Sequence, residues 1–206
     1  MKKKFLLACV AGTAMAISLT GCGTEATTTT SATTDTTNSI EASQTKVTGK
    51  VSSISNGTVT LALGEVDENA LRIDNATVPL DGITVDKSAG ATSSTENGDF
   101  YGVNAALLAT NGATVTIKNA TVTSSAQNGN GVFSYGSGTT VNISDSTITT
   151  TADNSGGIQT TGGGTTNASN LTVYTFGNSS AAIRSDRGGG TVNVDGGSYT
   201  CLLYTS

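Results

Sequence analysis

Arg184, Asp186 and Arg187 put two guanidinium groups and a carboxylate within one short stretch. Such a group can hold an anion or move a proton, and it is equally the kind of solvated edge found on a turn. Asp153 and Asp195 are the carboxylates that repeat spacing would bring near it. Little else in the chain suggests catalysis. There is no histidine, which removes His-based triads and HExxH zinc sites. Asp81, Asp86 and Asp99 are scattered rather than set in a calcium-loop motif, and no Gly-Gly-x-Gly-x-Asp series occurs. No metal and no cofactor is expected. For contact with a sugar the useful groups are exposed aromatic rings. Phe100, Tyr101, Phe133, Tyr135, Tyr174 and Phe176 are the stock. Phe133 and Tyr135 are expected on the side opposite Val132, as the best patch for glycan contact, with Phe100 and Tyr101 next.

The elements that must position these residues are set by repetition. Val115-Thr-Ile-Lys-Asn-Ala-Thr-Val122 returns as Val141-Asn-Ile-Ser-Asp-Ser-Thr-Ile148, Thr166-Asn-Ala-Ser-Asn-Leu-Thr-Val173 and Val192-Asn-Val-Asp-Gly-Gly-Ser-Tyr199. These copies start 26, 25 and 26 residues apart, and an earlier one, Val78–Val85, precedes them by 37. Apolar and polar residues alternate within each copy, which predicts short strands with one buried face. Asn119, Asp145, Asn170 and Gly196 mark the turn, residue types that tolerate left-handed backbone. Leu107, Val132, Ile158 and Ile183 recur at 25, 26 and 25 residues and should form a second stacked column. A third break follows at Asn111-Gly112, Gly136–Gly138, Gly162–Gly164 and Gly188–Gly190. Three strands and three turns per repeat predict an all-β fold: a single-stranded parallel β-helix solenoid of about five coils of 25–26 residues over 66–200. The Thr84, Thr121, Thr147, Thr172 and Ser198 ladder invites an ice-binding reading. Each follows a turn residue, however, and is expected to satisfy that turn instead.

These stacked Val/Ile columns and the Asn/Asp turn ladder resemble the right-handed parallel β-helix family of pectate-lyase-like enzymes and bacterial surface adhesins. The resemblance implies the handedness. For a lyase it would imply Ca2+ held by carboxylates and an Arg or Lys base, casting Arg184, Asp186 and Arg187 as the catalytic group. One such fold hosts many functions.

Met1-Lys-Lys-Lys-Phe-Leu-Leu opens a basic and then apolar leader. It ends in Leu19-Thr20-Gly21-Cys22, which resembles the bacterial lipobox. The resemblance implies a lipoprotein signal over 1–21, a lipidated Cys22 at the mature N-terminus, and an extracytoplasmic, surface-exposed protein held to the membrane by lipid. Residues 22–45, rich in Thr and Ser, are expected to be a tether. Asn56-Gly57 between two alternating runs predicts a β-hairpin over 46–65, as a cap or a small β module. The loop Ala89–Asp99 is about eleven residues longer than its counterpart Ser125–Asn130 and is a place for a binding insertion. Cys201–Ser206 break the repeat. A sequencing-adapter end would encode the same six residues, so they are expected to be an artefact and the natural chain to continue from Thr200.

Charged residues make up 12% of the chain, which by itself would suit disorder, but the stacked columns argue for a folded rod. The net charge of −5 becomes −8 once Lys2, Lys3 and Lys4 leave with the leader, which makes nucleic acid a poor partner. The expectation is a membrane-anchored rod acting in adhesion or carbohydrate binding, on a glycan or a surface-protein ligand, without catalysis. The alternatives are a polysaccharide lyase or hydrolase whose decisive residues lie past Thr200, and a passive stalk for a further domain.

Overall fold

The structure, a computed structural model, describes residues 66–202 throughout and, before them, the backbone of four strands: β1 (Ser39–Glu41), β2 (Thr45–Lys50), β3 (Ile54–Ser55) and β4 (Thr58–Leu61). The leader, Leu19, Thr20, Gly21, Cys22 and residues 203–206 lie outside the described residues.

From residue 66 the chain winds as a parallel β-solenoid. The first coil holds β5 (Leu71–Asp81) and β6 (Thr84–Lys87). A helix, α1 (Thr95–Tyr101), leads into the second coil, of β7 (Leu107–Thr110), β8 (Thr114–Lys118) and β9 (Thr121–Ser124). The third is β10 (Val132–Tyr135), β11 (Thr140–Ser144) and β12 (Thr147–Thr150). The fourth is β13 (Ile158–Thr161), β14 (Gly164–Ser169) and β15 (Thr172–Thr175). The last is β16 (Ile183–Ser185), β17 (Gly190–Asp195) and β18 (Ser198–Cys201). Four turns carry the chain from β6 through β9, β12 and β15 to β18, all in one sheet with β1 and β4.

The stacked columns occur in the expected register. Leu107 pairs with Val132, Val132 with Ile158, and Ile158 with Ile183. Val115, Val141, Thr166 and Val192 form another column, and Val122, Ile148, Val173 and Tyr199 a third. The buried Val, Ile, Leu and Ala side chains of the columns make one continuous core along the rod, with Val192 and Tyr199 packed against it. Each fully buried Val or Ile contributes about 1.5–3 kcal/mol of hydrophobic stabilisation. At the turn between the sheets the backbone is left-handed at Asn119 (φ 53°), Asp145 (φ 51°), Asn170 (φ 51°) and Gly196 (φ 65°), as the residue types predict. The amides also tie the coils together: Asn119 donates to Asp81 at 2.8 Å and Asn170 to Asp145 at 2.7 Å.

Two expectations need correction. The strands flanking Asn56-Gly57 do not form a hairpin with each other. β2 and β3 pair in parallel with β5, and β4 pairs in parallel with β6, so this segment joins the solenoid as a preceding coil. The local Asn-Gly signal loses to the ladder offered by the neighbouring coil, whose alternation matches in register. Among the described residues β2 pairs with β5 as far as Thr77 and β3 pairs with it from Leu80. The expected tether boundary also moves. β1, inside the stretch read as structureless, pairs in parallel with β4 from Ser39.

Candidate functional site

Phe100, Tyr101, Phe133, Tyr135, Arg184, Asp186 and Arg187 meet on one face, the outer side of β7, β10, β13 and β16, where the long loop lies over the strands. Ser94 caps α1, its Oγ accepting from the Asn97 amide at 3.0 Å, and Gly102 ends the helix in the left-handed region (φ 70°). Side chains of the solenoid then hold the backbone of the helix. Gln159 Nε2 donates to the Asp99 carbonyl at 2.5 Å and Thr161 Oγ1 to the Phe100 carbonyl at 2.6 Å. Asn128 Nδ2 reaches the Asp99 carboxylate at 3.0 Å.

Phe133 does point away from Val132, but it is fully buried beneath this strap, in a small cluster with Ala105 and Leu108. Its ring offers no face to a sugar, which corrects its reading as a glycan contact. The covering residue is Gly102, where an added Cβ would come within 2.6 Å of the ring. Tyr135 is half-buried, and Tyr101 meets it edge-on at 5.4 Å between centroids. Tyr101 itself is exposed. Phe100 lies under the Arg187 guanidinium, 4.0 Å from its ring centroid, a cation–π contact.

The charged trio serves the same strap. Arg184 donates twice to Asp186, at 2.9 and 2.6 Å, and lies 3.5 Å from Asp99. Arg187 pairs with Glu96 on α1. Both guanidinium groups are therefore committed to carboxylates of their own chain. The three scattered aspartates are committed separately: Asp81 accepts from Asn119, Asp86 from Thr123, and Asp99 from Asn128. Among the described residues no three carboxylate or thiol side chains gather as a metal site would require.

Sequence reasoning missed the helix and its covering role. Ser94 followed by Thr95-Glu96 and, later, Gly102 was the available start and stop signal. It also misjudged the threonine ladder. The hydroxyls of Thr121, Thr147 and Thr172 bond to no turn and have no partner among the described residues; they face outward from β9, β12 and β15. Asp86 and Tyr174 break the second outward column of that sheet, and Tyr174 is exposed.

The other uncovered face is the outer side of β8, β11, β14 and β17. A groove of about 400 Å³ crosses these four rungs, with Thr116, Asn142, Asn167 and Asn193 along its centre. Asn167 donates to Asn142 and Asn193 to Asn167, each at 2.8 Å.

One buried group stands apart from both faces. Lys87 points into the core in the column that also holds Leu61, Ser124, Thr150, Thr175 and Cys201, and it is fully buried. Its Nζ donates to the carbonyls of Glu68 (2.8 Å) and Ala89 (2.9 Å). Burial pushes the ammonium down to about 8, with the Glu68 carboxylate partly opposing the shift.

No family model, curated protein or solved structure matches this chain.

Proposed function

We propose that this chain is a surface lipoprotein whose solenoid acts in adhesion or carbohydrate binding without catalysis. The observation that carries this reading is the state of the outer faces. Two of them run uncovered along the rod as ladders of hydroxyls and amides, including the unbonded Thr121, Thr147 and Thr172. Repeated neutral donors and acceptors on a rigid support suit a repeating, hydroxyl-rich ligand. Arg184, Asp186 and Arg187, the group nearest to a catalytic cluster, are engaged in holding α1. The Leu19-Thr20-Gly21-Cys22 sequence supports a lipid anchor at Cys22, with the Thr/Ser-rich stretch after it lifting the rod from the membrane.

Two measurements test this. The full chain on a glycan array should give saturable binding and release no reducing or unsaturated sugar ends; such ends would establish a lyase or hydrolase instead. Cys22→Ser should move the protein from the membrane fraction to the medium or the soluble fraction, and unchanged membrane retention would refute the anchor.

A further inference from the structure

We propose that the groove over β8, β11, β14 and β17 binds an uncharged, extended polysaccharide lying along the rod axis. This rests on the carbohydrate-binding reading above and assigns it a face and a ligand class.

The groove is built from columns rather than from a single pocket. Thr116, Asn142, Asn167 and Asn193 stand in register on successive rungs, about 4.8 Å apart. In an extended β-linked chain each sugar ring advances by close to one rung, so every ring meets the same group of side chains. The asparagines are already oriented by one another through the 2.8 Å bonds from Asn193 to Asn167 and from Asn167 to Asn142. Little side-chain freedom is then lost on binding. After those bonds each linked amide nitrogen still has a second N–H, and the ladder ends in two groups with no partner among the described residues, Asn142 Nδ2 and Asn193 Oδ1. Sugar hydroxyls, which both donate and accept, match that pattern.

Charge selects the class. The amides and hydroxyls stand beside an apolar column of Ile117, Ile143, Ala168 and Val194, whose exposed last member, Val194, suits the apolar face of a sugar ring; Lys118 stands at one end and Asp195 at the other. A uronate polymer carries a negative charge on every repeat, and the groove offers one lysine, Lys118, and an opposing carboxylate, Asp195, over four rungs. The threonine face is a weaker choice for the same ligand, because the Asp86 carboxylate interrupts its second column and its exposed ring, Tyr174, serves a single rung. An extended peptide would favour a sheet edge, where backbone groups are unpaired, over this face.

The test is affinity electrophoresis of the full chain through gels containing mixed-linkage β-glucan, galactomannan or polygalacturonate. At least one neutral polymer should retard the protein, and polygalacturonate should not. The double variant Asn142→Ala/Asn167→Ala should bind roughly tenfold more weakly, the loss of two to three modest hydrogen bonds, with an unchanged circular dichroism spectrum. Ser137→Ala, at an exposed turn outside both ladders, should bind as wild type does. If the alanine pair fails to fold, Asn167→Gln keeps an amide but displaces it, and the same loss is expected. Wild-type retardation that the asparagine changes leave intact, or retardation by polygalacturonate in preference, overturns the groove while leaving the broader binding function standing. A wild-type chain that none of these polymers retards, yet binds on a glycan array, also overturns the groove; silence in both assays removes the carbohydrate-binding function with it.

Discussion

Single residues carry consequences that the alternation of the sequence conceals. Lys87 occupies a core position between Leu61 and Ser124 in its column. Below pH 8 it is charged in both the folded and the unfolded chain, so its full burial cost is present. Between about 8, its folded value, and 10.5, its ordinary value, the unfolded chain binds more protons than the folded one. Stability should therefore rise with pH across that window, by at most about 3 kcal/mol. Urea unfolding at steps from pH 7 to 10.5 should show this rise in the wild type and not in Lys87→Met; parallel slopes would contradict it. Ser179 sits at φ 54° in the loop position where the two preceding coils have Asn128 (φ 55°) and Asn154 (φ 53°). Asn tolerates that conformation better than Ser, so Ser179→Asn should stabilise the chain by about 0.5–1 kcal/mol, read from the urea midpoint. Ser155 Oγ accepts from the Gly129 amide and donates to the Ala126 carbonyl, both buried. Ser155→Ala should cost about 0.5–1.5 kcal/mol in the same assay, the net loss of a hydrogen bond, because the Gly129 amide also donates to the Ala126 carbonyl at 2.9 Å.

Among the elements, the strap is the one whose behaviour was hidden from sequence. The columns of Val and Ile were legible because alternation and a fixed period are local and repeated. The turn ladder was legible because Asn, Asp and Gly recur there for one steric reason. The burial of Phe133 was not, since its outward direction follows from Val132 but its cover comes from α1 and Gly102, some thirty residues upstream. Likewise Arg184 and Arg187 read as a possible catalytic pair until α1 brought Asp99 and Glu96 to them. The hairpin failed for a related reason: Asn56-Gly57 is a short-range signal, and the deciding partners, β5 and β6, lie in the next coil. The strap also leaves buried acceptors without protein partners, Gln159 Oε1 and Asn128 Oδ1, each worth about 1–3 kcal/mol when unsatisfied. Amides of 95–101 should therefore exchange with deuterium faster than those of β10 beneath them, consistent with local opening. Gly102→Ala meets both the left-handed φ and the Phe133 ring, and should destabilise by about 2–4 kcal/mol while deprotecting α1 first.

Over the whole molecule, five stacked rungs give one continuous core and several long outer faces, of which the strap closes one. The final rung has nothing stacked on it among the described residues. Ile183 and Val194, in columns whose earlier members are buried, are 37% and 41% exposed. The central claim is that the rod holds a polysaccharide and does not cut it. The direct measurement is a binding isotherm of the full chain with a soluble neutral β-glucan, with the polymer's size distribution recorded before and after incubation. Saturable binding with an unchanged distribution is the predicted result. A polymer shortened during incubation, or no binding at any concentration, would contradict the account.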